Sequence, residues 1–345
     1  MPQKTSKANK FRFSKRIGID LGTANSLVWL ENEGIVLNEP TVVAVSLDDN
    51  RVLAVGNEAK KMLGRTPENI QASRPMREGV IADYVVTEAM LRYFIQKVSG
   101  RSFFFKPEVM ICVPAGCTQV ERRAVLDATL AAGARSAYLI DEPLAAAIGA
   151  GIPIAAPSGS MIVDIGGGAT EAAVISLGGV VVHQSARVGG TKLDEAIASY
   201  IRKKYNLVIG DQTSEQIKIE IGSAIKLDKE VKREVKGRDS IMGLPRVIEL
   251  SSTEVTEAMR PVLNQMIGAV KAVLEETPPE LASDIIDKGI VLSGGTSLLC
   301  HFDKLVTEES GVPAHVAEEP MLCVVKGTGV ALKNIDVYKK LIFRK

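Results

Sequence analysis

The chain has 345 residues, 46% hydrophobic, 24% charged and only 4% aromatic, with a formal net charge of +1. That length holds two domains with separate cores. The near-neutral balance argues against generic nucleic-acid binding, and the scarcity of aromatics against a base-stacking surface.

Four cysteines (112, 117, 300, 323) without a CxxC spacing and three scattered histidines offer no metal-ligand pattern. Buried free thiols in a reducing compartment are the expectation. No apolar run approaches the ~20 residues of a membrane-spanning helix and no cleavable signal is evident, so a cytoplasmic protein is expected.

Residues 1–16 carry Lys4, Lys7, Lys10, Arg12, Lys15 and Arg16 without an acid, interleaved with Phe11 and Phe13. Such a segment is either a solvated tail or a patch for an anionic membrane, each charge adding ~1 kcal/mol near the surface. Residues 16–30, RIGIDLGTANSLVWL, read as an apolar strand carrying Asp20, a glycine turn and a second apolar strand. Strands are predicted at 34–37, 41–46 and 51–55 and a short helix at 57–63. Loop follows from 67 to 79, with Arg74, Pro75 and Arg77. An amphipathic helix over 85–98 stops at Gly100. Phe103, Phe104 and Phe105 then sit on a connection before Pro107, either tucked under a helix or free to enter a membrane.

A buried strand is predicted at 109–113. Thr118 with Glu121 makes a capping box, opening a helix with Ala124, Val125, Ala128, Leu130 and Ala131 on its apolar face. A strand at 137–140 runs into Asp141, Glu142 and Pro143, and Pro143 suits the first turn of a helix. Glu142 thus stands at a strand's carboxyl end and a helix entrance, where α/β sheets commonly place their chemistry. It could equally serve only the helix N-terminus. Residues 152–159 read as a hinge.

The stretch 160–171, SMIVDIGGGATE, repeats the pattern of the first hairpin: apolar run, Asp164, then Gly166, Gly167 and Gly168, then another apolar strand opened by Thr170 and Glu171. A carboxylate inside an apolar run is costly unless it meets a cation or donors. Consecutive glycines let several backbone N–H groups converge. Alone, either hairpin is compatible with a structural turn and an edge aspartate. As a pair in halves of similar size, they suit one polyphosphate and its magnesium held from two sides. Neither GxxxxGK[ST], a helix-opening G-x-G-x-x-G nor an HRD/DFG pair occurs.

Beyond this unit, Gly178 and Gly179 turn a hairpin into 180–188, and Gly189-Gly190 precede a helix over 192–205. Thr213 with Gln216 is predicted to cap a helix carrying Glu215 and Lys218, whose i, i+3 spacing is that of a surface ion pair. Strands follow at 230–237 and 246–251. Residues 253–276 are helical, with Pro261 expected to kink or split the helix. A strand at 290–292 ends in Gly294, Gly295 and Thr296, a natural approach point for a nucleotide. A final helix is predicted over 320–337, with Gly327 and Gly329 allowing close packing.

Together DLGTAN (20–25), DEPLAAAIGAG (141–151), DIGGGATE (164–171) and SGGTSLL (293–299) resemble the actin, sugar-kinase and heat-shock chaperone ATPases. GIVLNEPTVVAV, MLGRTPENI, RPMREGVIADY, VPAGCTQVERRAV, EQIKIEIGSA and PPELASDI are similar to the MreB family, the bacterial actin homologues of rod-shape determination. The resemblance runs from about residue 17 to 337.

It implies an α/β, actin-like fold: two duplicated halves, four subdomains in all, around a nucleotide cleft. One half would span 17–155, with an outer subdomain at about 39–80 and completion by a C-terminal helix at about 320–345. The other would span 156–319, with an outer subdomain at about 191–252. By the same resemblance, Thr23, Ala24 and Asn25 contact phosphates from one side, and Gly166, Gly167 and Gly168 from the other. Asp20 and Asp164 hold Mg²⁺ through its waters. Glu142 orients the attacking water, helped by Thr170. Glu215, Gln216, Ile217 and Lys218 line the ribose and adenine side, and Gly294, Gly295, Thr296 and Ser297 pass over the α-phosphate and adenosine.

The implied activity is slow ATP hydrolysis coupled to a homopolymer of paired protofilaments on the inner face of the cell membrane. Phe103, Phe104 and Phe105 would be its membrane loop, and Val120 would lie on the helix that pairs protofilaments. Implied partners are the membrane-bound wall-elongation proteins RodZ, MreC and MreD, with no nucleic acid. Two departures stand out. Ala169 replaces a common threonine, which implies slower hydrolysis, and GGTSLL replaces GGGALL, which adds two hydroxyls. A sugar-kinase-type phosphotransferase is the alternative, but no acceptor base stands out beyond the aspartate pair. A chaperone ATPase would need a further substrate-binding domain.

Overall fold

A computed structural model of the chain describes residues 14–49, 51–77, 80–100, 106–339 and 342–344. The basic tail up to residue 13 and the Phe103, Phe104, Phe105 triplet lie outside the described residues.

The apolar runs become the middle strands of two sheets built to one plan. The first runs Gly34–Pro40, Asn25–Leu30, Arg16–Leu21, Glu108–Val113, Ser136–Asp141 and Phe343–Arg344. The second runs Gly179–Ala186, Thr170–Ser176, Ser160–Ile165, Ile290–Ser293 and Ala314–Val316. Each opens with an antiparallel meander of three strands. In each, the meander's first strand then pairs in parallel with a strand from later in the chain. Ile17, Ile19, Val109, Met161, Ile162 and Val163 are wholly buried. Strands covered on both faces read as continuous apolar runs, and these do.

Two small sheets flank the large ones. Val43–Ser46 lies between Val52–Val55 and Ile70–Ser73, and helix Asn57–Met62 buries Ala59 against them. Leu207–Val208, Lys232–Asp239 and Pro245–Ser251 form the other.

Helices Glu142–Gly149 and Cys323–Lys333 cross closely because glycine occupies the contact. A methyl at Gly327 would stand 1.7 Å from the Ala145 carbonyl oxygen, and one at Gly149 would stand 1.8 Å from that of Cys323. Gly329 admits the Trp29 ring. Gly327→Ala is therefore expected to destabilise the fold by about 3 kcal/mol, the upper range for an overpacked core. An unchanged urea midpoint would refute the contact.

Three local expectations are corrected. Helix Ser252–Glu276 runs through Pro261 unsplit, fixed at its start by the capping box of Ser251 and Glu254. Its stripe of buried Val255, Met259, Leu263, Met266 and Val270 outweighs the lost backbone hydrogen bond. Helix Asp211–Ile221 begins at Gly210, so Thr213 lies inside it rather than capping it. The final helix is in pieces: a 3₁₀ turn Pro320–Leu322, then Cys323–Lys333, then Ile335–Tyr338 beyond a break at Asn334. The capping box at Thr118 and Glu121 and the stop at Gly100 form as the sequence predicts. Among the described residues, no helix is long and apolar enough to cross a membrane.

Candidate functional site

The carboxyl ends of the parallel strands converge. Asp20 is the penultimate residue of Arg16–Leu21, Cys112 that of Glu108–Val113 and Asp164 that of Ser160–Ile165, while Glu142 opens the helix after Ser136–Asp141. Ligand atoms of Asp20, Cys112 and Glu142 all lie within 4.8 Å of one another. The Cys112 thiol donates to Asp20 Oδ1 at 3.4 Å, and the Ser293 hydroxyl donates to Asp164 Oδ1 at 2.6 Å.

Burial pushes Asp20 up to about 7, and the charge of Asp164 adds to it against the Cys112 hydrogen bond. Burial likewise lifts Asp164 to about 6, opposed by Ser293. Glu142 rises well above the usual carboxylate range through burial, then through Asp164, Asp20 and Glu171. Buried like charges of this kind are relieved by a nearby cation. Hard carboxylate oxygens supplied from both sheets fit Mg²⁺. The Cys112 thiol is held neutral, chiefly by burial.

The two glycine turns touch. A methyl at Gly167 would stand 2.6 Å from Ala24 Cβ, and one at Gly168 would stand 2.3 Å from Thr23 Oγ1. The first turn is braced by Thr41, whose hydroxyl donates to Gly22 O at 2.6 Å, and by Arg74, whose Nη1 lies 3.2 Å from Ala24 O. The second is braced by Thr296, whose hydroxyl donates to Gly166 O at 2.9 Å, and by the amides of Gly190 and Thr191. Gly294 follows its strand at φ +83° with its α-carbon packed against the Ile165 backbone, and Ser297 closes the turn through a 2.7 Å bond to Gly294 O. Asn25 is exposed at the mouth of the first turn, and Gly295 at the mouth of the third.

Other predicted residues divide by helix face. Glu215 and Lys218 share a face but do not pair with each other. Lys218 bonds Gly190 O at 3.0 Å and pairs with Asp194 at 2.8 Å, while Glu215 reaches Lys60 at 3.7 Å. The Ile217 side chain lies in the core, so it does not line the cleft, and Gln216 is exposed. Thr170 is wholly buried and its hydroxyl donates to Val188 O at 2.8 Å, which directs it away from the acidic cluster. Sequence reasoning missed Cys112, Ser293, Asp194 and the Gly189–Gly190 turn as parts of this site. Two had a visible signal: Ser293 directly precedes the third glycine turn, and Gly189-Gly190 is itself a glycine pair ahead of a helix. Val120 is 79% exposed on helix Gln119–Ala131.

Two like-ordered sheets meeting at paired acidic hairpin turns define an actin-like protein. The model for the MreB/Mbl protein family matches residues 14–340. The cell shape-determining protein MreB of Escherichia coli K12 is 53% identical over 336 residues, spanning 95% of this chain and 97% of that protein. Mbl of Bacillus subtilis 168 is 49% identical over 328 residues, 95% and 98% of the two chains. The chain belongs to the MreB/Mbl family. Among solved structures, Spiroplasma citri MreB5 bound to ADP superimposes with a TM-score of 0.90 at 35% identity, over 95% of this chain and 99% of that one. The AMPPNP-bound form gives 0.89. The MamK double helical filament, at 19% identity and a TM-score of 0.77, shares the fold.

Proposed function

We propose that this chain binds Mg²⁺–ATP in the cleft, polymerises with it into paired protofilaments on the inner membrane face, and hydrolyses it slowly to let them go. Such filaments would organise membrane-bound wall-elongation proteins and set cell shape. The observation that carries this reading is the contact of the two acidic hairpin turns, which leaves Asp164 close enough to add to the charging cost of Asp20.

Asp20 and Asp164 would hold the metal through its waters, and the metal would neutralise charge developing on the phosphates. The turns 22–25 and 166–168 present backbone N–H groups to those phosphates. Lys218, pinned by Asp194, offers a fixed ammonium on the ribose side. Glu142, its carboxyl lifted above the usual range by burial and then by Asp164, Asp20 and Glu171, is the group that would take the proton of the attacking water. Thr170 does not assist in this reading. With alanine at 169 and the Thr170 hydroxyl donating to Val188 O, this hairpin would lend the water no hydroxyl, which supports the slow turnover proposed.

A sugar-kinase-type phosphotransferase would need a polar acceptor pocket beside Glu142. The cavity there, about 230 Å³, is lined mostly by apolar side chains such as Leu21, Met76, Ile81, Ile111 and Val113. The deciding experiment is electron microscopy and pelleting with Mg²⁺–ATP, with ADP and without nucleotide. Paired filaments are expected with ATP, and single protofilaments at best for Val120→Glu. Paired filaments from that variant would remove helix Gln119–Ala131 from the pairing face, and their absence from the wild-type chain under all conditions would remove the proposed function.

A further inference from the structure

Glu171 holds neither metal nor nucleotide in the reading above and acts on Glu142 only through its charge, yet it is 1% exposed. A carboxylate is retained in such a place only where donors meet it. Its two donors come from a strand of its own sheet and from a loop of the other. The Ser185 hydroxyl, on the neighbouring strand of its own sheet, donates to Oε1. The Ala115 amide, on the loop after strand Glu108–Val113 of the other sheet, donates to Oε2 at 3.3 Å. Gly116 lies close against Ser185, where a methyl would sit 3.6 Å from Ser185 Cβ.

That loop, residues 114–117, leads into helix Gln119–Ala131, and the helix grips it from its own side. Arg122 donates to Ala115 O at 3.2 Å and to Cys117 O at 3.3 Å, and pairs with Asp141 at 2.7 Å. Asp141 directly precedes Glu142. The loop is therefore clamped between Glu171, opposite Asp164 in the register of its hairpin, and an arginine tied to the residue before Glu142.

We propose that Glu171 is a positioning residue: through the Ala115 amide it ties the second half to the base of helix Gln119–Ala131, so that cleft closure places that helix for lateral pairing. This rests on the filament reading above. The tether is a hydrogen bond between the two halves, so a change in their spacing moves the loop, and the loop moves the helix end next to Val120.

The test uses the full chain with Mg²⁺–ATP, scoring paired against single protofilaments by electron microscopy and nucleotide affinity with a fluorescent ATP analogue. Glu171→Ala removes the acceptor. It is expected to keep nucleotide affinity within about threefold and lower the paired fraction about tenfold, the loss of one buried hydrogen bond. Glu171→Gln keeps an acceptor for the Ala115 amide and should restore pairing to within about twofold. Ser185→Ala, which frees one side of the carboxylate, should lower pairing by less than Glu171→Ala and serves if that variant does not fold. Wild-type pairing in both Glu171→Ala and Ser185→Ala, or loss in Glu171→Gln equal to that in Glu171→Ala, overturns the proposal while leaving the filament reading intact. A wild-type chain that makes no filaments overturns both.

Discussion

Glu142→Gln is expected to slow phosphate release by about 10²–10⁴-fold, the usual worth of a positioned general base, while filaments still assemble with ATP. The glutamine is isosteric and cannot take a proton. Glu142 opens a helix whose Pro143 fits the first turn and whose residues Leu144, Ala145, Ala146 and Ala147 are buried, so its position is held by packing rather than by its own charge. Glutamine is neutral beside Asp164 and Asp20, the state that burial and those carboxylates favour in Glu142 itself, so nucleotide affinity is expected to hold. ATP filaments of the variant should therefore outlast those of the wild type. Phosphate release within threefold of wild type would exclude Glu142 as the base.

The second large effect concerns stability and pH. Asp20 is raised from its ordinary 3.8 to about 7, so between those values the folded protein binds more protons than the unfolded chain. Stability without nucleotide should then fall as pH rises from about 4 to 7 and level off above. At one pKa unit per 1.36 kcal/mol, the deficit above that window is roughly 4 kcal/mol. Asp164, raised to about 6, adds in the same direction.

Glu254 works in the opposite sense. Its partial burial is overcome by hydrogen bonds from Lys204, Tyr205 and Ser251, which hold it at about 2. Its contribution is lost only below about pH 4.5, clear of the upper window. Asp20→Asn should raise the melting temperature of the nucleotide-free protein at pH 8 and flatten its pH dependence between 5 and 8. The same change should abolish the upward shift on adding Mg²⁺–ATP. A variant that still gains the wild-type shift would take Asp20 out of the metal site.

What could be read beforehand was whatever depends on near neighbours in the chain. The two hairpins with their aspartates were legible because a carboxylate in an apolar run followed by glycine is a local anomaly, and the repeat of that anomaly reveals the duplication. The capping box at Thr118 was legible for the same reason: both partners lie within four residues. Pro261 does not split its helix because its local penalty is smaller than the burial of a long apolar stripe, a quantity that depends on what packs against the helix. The range 215–218 was a sequence window, and a helix cannot present four consecutive side chains to one cleft.

The sequence by itself determined the strand cores, the glycine turns, the helix signals at Thr118 and Gly100 and the family, since all follow from residue order and backbone sterics over a few positions. Only the tertiary structure decided which side chains meet. It set the Cys112 thiol against Asp20, gave Lys218 to Asp194 rather than Glu215, turned the Thr170 hydroxyl to Val188 and joined Glu171 to Ala115. These pairings link residues far apart in the chain, and their positions are fixed by sheet register and crossing angles. No window of sequence contains those quantities, because they come from the packing of whole elements.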